Sequence, residues 1–301
     1  MTKSSRRNEV GAATLLSSNV MVCAALYLLR HSADGAPART LYLLAANAVA
    51  GLVGFLPFRH ENAIRIDRPS LAVIGWSACY CTEYGLFLVY PGAISISQLI
   101  VCNSLAPFIS VYLSQDAKRS GMGRKYRVLS ITPVIFLLGI SFVERQGNDH
   151  IFRHGTLLLA CVLGSAACSQ ACARYVARHR SPGWSQPRLT ILNAVLLGVV
   201  LFLFSRSPAV GMPNAVSIGL VVTVGALILL VQRFYVFGLR KADPFISALA
   251  LCSIVPLSVA TEAVFEHRVI GHMEIALCGA YIISMVASVR LSGYGSGRAV
   301  Q

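Results

Sequence analysis

Glu83 is the residue in this chain with the most evident capacity for chemistry. It stands 13 residues past Ser70 inside a long apolar stretch, roughly 20 Å along a helix that rises 1.5 Å per residue. Trp76, Tyr80, Glu83, Phe87 and Tyr90 follow one another at 4-3-4-3 spacing, which puts them on one helical face. A carboxylate deep in an apolar span is costly and normally faces a bundle interior or a watery cavity. An aromatic face carrying one carboxylate suits a cationic or amine-bearing solute, through cation–π contact and charge pairing. The competing reading is a protonated Glu83 bonded to a neighbouring helix, with the rings merely packing.

Arg233 is the second case, and Gln232, just before it, falls one repeat length (149 residues) after Glu83. Opposite charges on two sides of a cavity would match a zwitterion such as an amino acid. Alternatively, Arg233 snorkels to the interface on its long side chain. Asn19, Gln98, Asn103 and Ser247 complete the expected substrate-binding set. Asn47, Ser104, Gln170, Asn193 and Ser253 are further polar residues in spans. Hydrogen bonding between helices is the commoner role for such groups.

Other chemistries find little support. The nine Cys all fall in apolar spans, Cys79 and Cys81 on different faces, Cys168 and Cys172 on one face without a third ligand. No metal site is expected, because zinc needs more ligands than that; small apolar packing is the ordinary role of such thiols. The seven His sit in loops or at helix ends. No P-loop or dinucleotide fingerprint occurs, so no cofactor is expected and any driving force is an ion or solute gradient. Neither paired carboxylates nor His clusters mark an interface, so no catalytic residues are expected and the protein reads as a non-enzyme.

The elements that must hold these residues follow from composition. Of 301 residues, 55% are hydrophobic and 13% charged, with mean hydropathy +0.66; a soluble domain carries about a quarter charged residues. The apolar residues fall into spans near the ~20 residues that cross a ~30 Å hydrocarbon core. Ten are expected: Gly11–Leu29, Leu41–Phe58, Ser70–Val89, Ala93–Leu113, Val128–Val143, Gly155–Ala177, Leu189–Phe204, Val216–Leu239, Pro244–Val264 and Met273–Val289. What remains leaves no room for a folded domain outside the bilayer. The N-terminal apolar run is too long for a signal peptide and reads as a retained first helix.

The net charge of +14 comes from 26 Lys and Arg against 12 Asp and Glu. These cations are scattered over short loops without a basic, aromatic-interleaved stripe, so nucleic acid is not an expected partner. Counted by alternate loops, 19 fall on one side and 6 on the other, with Arg233 left inside a span. The positive-inside rule then places both termini in the cytoplasm of a multi-pass inner-membrane protein. That count assigns Arg174 to the basic side, with Arg178, Arg180 and Arg188.

An internal repeat organises the spans. Ala93–Gln98 and Cys102–Pro107 in the fourth are matched 149 residues later by Ala242–Ser247 and Leu251–Pro256 in the ninth, the two prolines in register. The chain therefore reads as two five-helix halves, residues 1–148 and 149–301. An odd number of spans per half gives the halves opposite orientation, as in inverted-repeat transporters whose site lies near the midplane between them. Pro107 and Pro256 should loosen or kink their helices.

Ten helices in two inverted halves resemble the drug/metabolite transporter superfamily, and its EamA-type exporters in particular. The resemblance is carried by Ser18–Asn19 in the first span, the segments ending at Pro107 and Pro256, Gly155 opening the sixth span, and Glu266 after the ninth. The first span lacks the Trp-Gly pair common in the family, and the fourth is followed by Gln115–Asp116–Ala117–Lys118 without the usual Glu. The resemblance implies an all-α membrane fold in which the fourth and ninth helices, hence Gln98 and Asn103, line a cavity. The expected function is alternating-access export of amino acids or amine-bearing metabolites, with the lipid bilayer and the small solute as partners and a homodimer admitted. Efflux of aromatic or cationic drug-like compounds is the second transport reading. A membrane-embedded enzyme or scaffold is the rival from another class.

Overall fold

The computed structural model describes residues 3–32, 36–55, 68–89, 96–113, 155–179, 182–204, 215–265, 267 and 269–295. Among them there is no strand, and nearly all are helical. The helices are α1 (Lys3–Ser32), α2 (Ala36–Phe55), α3 (Arg68–Val89), α4 (Ile96–Leu113), α5 (Gly155–His179), α6 (Pro182–Phe204), α7 (Ala215–Lys241), α8 (Pro244–Cys252), α9 (Ile254–Phe265) and α10 (His272–Gly295). The expected span Val128–Val143 lies outside the described residues.

Five stretches are long and apolar enough to cross a membrane: Arg6–Leu29, Gln186–Leu203, Ile218–Lys241, Pro244–Phe265 and His272–Arg290. Shorter apolar helices cover Leu41–Gly54 and Leu71–Thr82. Large apolar side chains point outward along many of these helices, among them Leu52, Leu71, Val195, Phe202, Ile218 and Ile283. An apolar perimeter of this extent is what lipid solvates, with each helix satisfying its own backbone.

One expected element differs. The ninth span is not one helix but two, α8 and α9, parted at Ser253. The cause is Pro256, which has no N–H to offer the carbonyl four residues earlier and whose ring crowds that turn. Pro107, in contrast, is accommodated inside a continuous α4.

The helices pair chiefly across the two halves of the chain. α1 lies along α7, α2 along α6, and α3 along α5; α4 lies against α5 and α8, with α2–α7, α3–α6 and α1–α8 as further contacts. The α1–α7 contact depends on small residues. A Cβ on Gly238 would come within 2.5 Å of Leu15 Cγ, and one on Gly11 within 2.5 Å of the Ala242 nitrogen. Lipid gives little hydrophobic drive between helices, so close backbone approach of this kind supplies the attraction.

Candidate functional site

The break between α8 and α9 leaves polar backbone in the bundle interior, and Asn19 of α1 covers it. Asn19 is buried and its Nδ2 donates to the carbonyls of Ala250 (3.2 Å) and Leu251 (2.9 Å) and to Ser253 Oγ (2.9 Å). The Ser253 N–H turns back to the same two carbonyls. α4 reaches the break from another side, where Cys252 Sγ donates to the Ser104 carbonyl at 2.7 Å. Asn103, beside Ser104, is half-buried. The Pro-bearing segments of α4 and α9 are thus neighbours, their prolines 149 residues apart in the chain.

A second cluster joins α3, α5 and α7. The ring of Trp76, itself buried, lies 5.9 Å from that of Tyr235 at a 41° tilt. Such tilted pairs are a favoured aromatic geometry. The Tyr235 hydroxyl donates to Gln170 Oε1. One turn before Tyr235, Gln232 is 8% exposed and its Oε1 is buried without a hydrogen-bond partner. A buried acceptor left unmade costs about 1–3 kcal/mol; among the described residues Gln186 Nε2 and Ser288 Oγ are buried in the same state. Tyr80 is half-buried on the same helix as Trp76. The side chains of Glu83, Phe87 and Gln98 lie outside the described residues, although their helices α3 and α4 are described; Tyr90 and Glu266 lie outside altogether. Arg233 is exposed on α7 and takes no part in either cluster.

The third cluster centres on Arg174, which the charge count assigns to the basic side. Arg174 is 2% exposed. Its Nε donates to Ser110 Oγ at 3.0 Å, its Nη1 to Ser247 Oγ at 2.7 Å and the Pro244 carbonyl at 3.4 Å, and its Nη2 to the Pro107 carbonyl at 3.5 Å. Ser247, an expected substrate ligand, is therefore engaged by Arg174 and by the Pro244 carbonyl, to which its Oγ donates at 2.8 Å. The available signal was that Arg174 falls within the expected span Gly155–Ala177, where an Arg has to be satisfied internally. Tyr235 is a further residue of this region; its three-residue spacing from Gln232 puts the two on one face.

Two other polar ties are structural. Ser77 Oγ donates to Asn193 Oδ1 at 2.6 Å, joining α3 to α6. Asn47 donates to the Leu43 carbonyl within its own helix at 2.8 Å. Among the described residues no group of His, Cys, Asp and Glu could hold a metal ion.

No family model matches this chain, and no curated protein matches its sequence. Solved structures do match: one crystal structure of a protein superposes with a TM-score of 0.69 at 15% identity, over 99% of this chain and 99% of its own. That likeness concerns the fold alone.

Proposed function

We propose that this chain is a secondary active transporter of small metabolites, amino acids or amine-bearing compounds in the first instance, working by alternating access in an inner membrane. In this reading it has ten spans in two inverted five-helix halves, residues 1–148 and 149–301, with both termini cytoplasmic, and is akin to the EamA-type exporters of the drug/metabolite transporter superfamily. The carrying observation is the broken span α8/α9 set beside the Pro107 segment of α4. Discontinuous helices at the interface of two repeats are where such transporters place their sites.

The helix pairings support the same reading. Replacing α1, α2, α3 and α4 by α5, α6, α7 and α8, and the reverse, turns the α1–α7 contact into α5–α3 and α2–α7 into α6–α3. It turns α4–α5 into α8–α1 and leaves α2–α6 and α4–α8 as they are. Each of these contacts is present. A pseudo-twofold relation between the halves accounts for that pattern.

The solute class is argued from Gln232, Trp76 and Tyr235. An unmade acceptor next to an aromatic pair welcomes an N–H donor, above all an ammonium, which also gains from the ring faces. Glu83, on the helix of Trp76, supplies the charge. The aromatic pair also favours a second reading, efflux of aromatic or cationic compounds.

Purified protein in proteoliposomes should take up amine-bearing solutes without changing them chemically. Gln232→Leu, which removes the acceptor, should raise KM about tenfold, the equivalent of one hydrogen bond to a charged group. A solute that emerges chemically altered would favour the enzyme class, and a full panel of amino acids, amines and dyes left untransported would overturn the proposal.

A further inference from the structure

The Arg174 cluster is not needed to bind a solute, since its hydroxyls and carbonyls already serve one another. Ser110 Oγ donates to the Pro107 carbonyl at 2.7 Å and Ser247 Oγ to the Pro244 carbonyl at 2.8 Å, so each hydroxyl presents its oxygen to the guanidinium. What the cluster does is join elements. Arg174 lies near the end of α5, Pro107 and Ser110 near the end of α4, and Pro244 and Ser247 at the start of α8. A rigid, forked cation reaching two helices at once is a task Arg performs and Lys cannot.

The same end of the bundle carries a second set of ties. The Asp243 N–H donates to Asn8 Oδ1 at 2.8 Å, Arg7 Nη2 donates to the Arg240 carbonyl at 3.0 Å, and Asp243 Oδ1 caps α8 by accepting from the Phe245 N–H at 2.9 Å. α1, α4, α5, α7 and α8 are therefore fastened together where the N-terminus of α1 emerges.

The other half of the repeat lacks these groups. One repeat length from Arg174, Ser110, Ser247 and Pro244 stand Ala25, Val259, Gln98 and Ser95. Between α1 and α9, towards that opposite end, the Tyr27 and Phe265 rings meet at 4.6 Å. A charged fork holds one end, and the corresponding positions of the other carry no cation.

We infer that Arg174 is a gate latch: it closes the N-terminal face of the bundle by holding α4 and α8 to α5, and its bonds to Ser110 and Ser247 must part before that face opens to the site. This rests on the transport reading for its purpose, but its test needs no transported solute. Cys252 is a native reporter, buried and five residues beyond Ser247 along the chain. In membranes permeable to the reagent on both sides, a water-soluble maleimide should label Cys252 slowly, read peptide by peptide by mass spectrometry. Arg174→Gln should raise that rate at least tenfold, while the buried Cys23 and Cys81 keep the wild-type rate. Ser247→Ala should raise it less, about threefold. Selective labelling of Cys252 supports the latch; a wild-type Cys252 rate with Cys23 and Cys81 still protected overturns it. Should Arg174→Gln expose all three thiols, Ser247→Ala decides: a rise confined to Cys252 supports the latch, and no rise overturns it. If wild-type protein moves no solute while Cys252 responds selectively, the transport reading fails and the latch stands as a closure of that face.

Discussion

Among individual residues, Glu83 and Gln232 divide the work of recognition in the proposed site. They stand one repeat length apart, so a pseudo-twofold axis would bring them to related positions on α3 and α7, one anionic and one neutral. An ammonium held by a carboxylate gains a charge-assisted bond of about 1.5–3 kcal/mol. Glu83→Gln keeps size and hydrogen bonding but cannot ionise. The variant should fold, bind amine-bearing solutes at least about tenfold more weakly, and lose the pH dependence of uptake; Glu83→Asp should retain part of both. Wild-type uptake with an unchanged pH profile in Glu83→Gln would return the residue to a packing role. Arg233, exposed on α7, has the placement that snorkelling requires.

Within single elements, the break at Ser253 shows how a local defect and a distant side chain belong together. Pro256 makes the break, and Asn19, 231 and 232 residues away from the carbonyls it serves, makes it tolerable in an apolar interior. Asn19→Ala would leave those two carbonyls and Ser253 Oγ without this donor, in lipid where water cannot substitute. The expected cost is about 1–3 kcal/mol, read as a lower apparent Tm of the detergent-solubilised protein. An unchanged Tm would mean that the break satisfies itself. A Pro in α4 brings no such rupture, and there Ser110 Oγ bonds the Pro107 carbonyl.

For the whole molecule, the testable claim is orientation. The 19-to-6 partition of Lys and Arg puts residues Tyr90, Pro91 and Gly92 outside the cell if both termini are inside. These three residues lie outside the described part of the fold, so the test is chemical. A Gly92→Cys variant should react with an impermeant maleimide added to intact cells. Reaction from the cytoplasmic side alone would undo the inverted-repeat argument.

The helical class and the presence of several stretches long and apolar enough to cross a membrane were legible in the amino-acid order alone. Hydrophobic run length is a local property, and lipid imposes it on each helix independently. The 149-residue spacing of Pro107 and Pro256, on which the proposed repeat rests, is likewise a property of the amino-acid order. Partnership between helices is not. Arg174 falls inside the expected span Gly155–Ala177 and Arg178 just past it, but nothing local says which helices Arg174 meets; it is buried at 2% exposure among α4, α5 and α8, while Arg178 is half-buried at the end of its helix. Trp76 shares a helical face with Glu83 by its spacing, but its ring meets Tyr235, 159 residues later. A helix in a bilayer satisfies its own backbone, so its sequence need not announce its neighbours. Which polar side chain completes which break, and which cation bridges which helices, is decided only when the bundle closes.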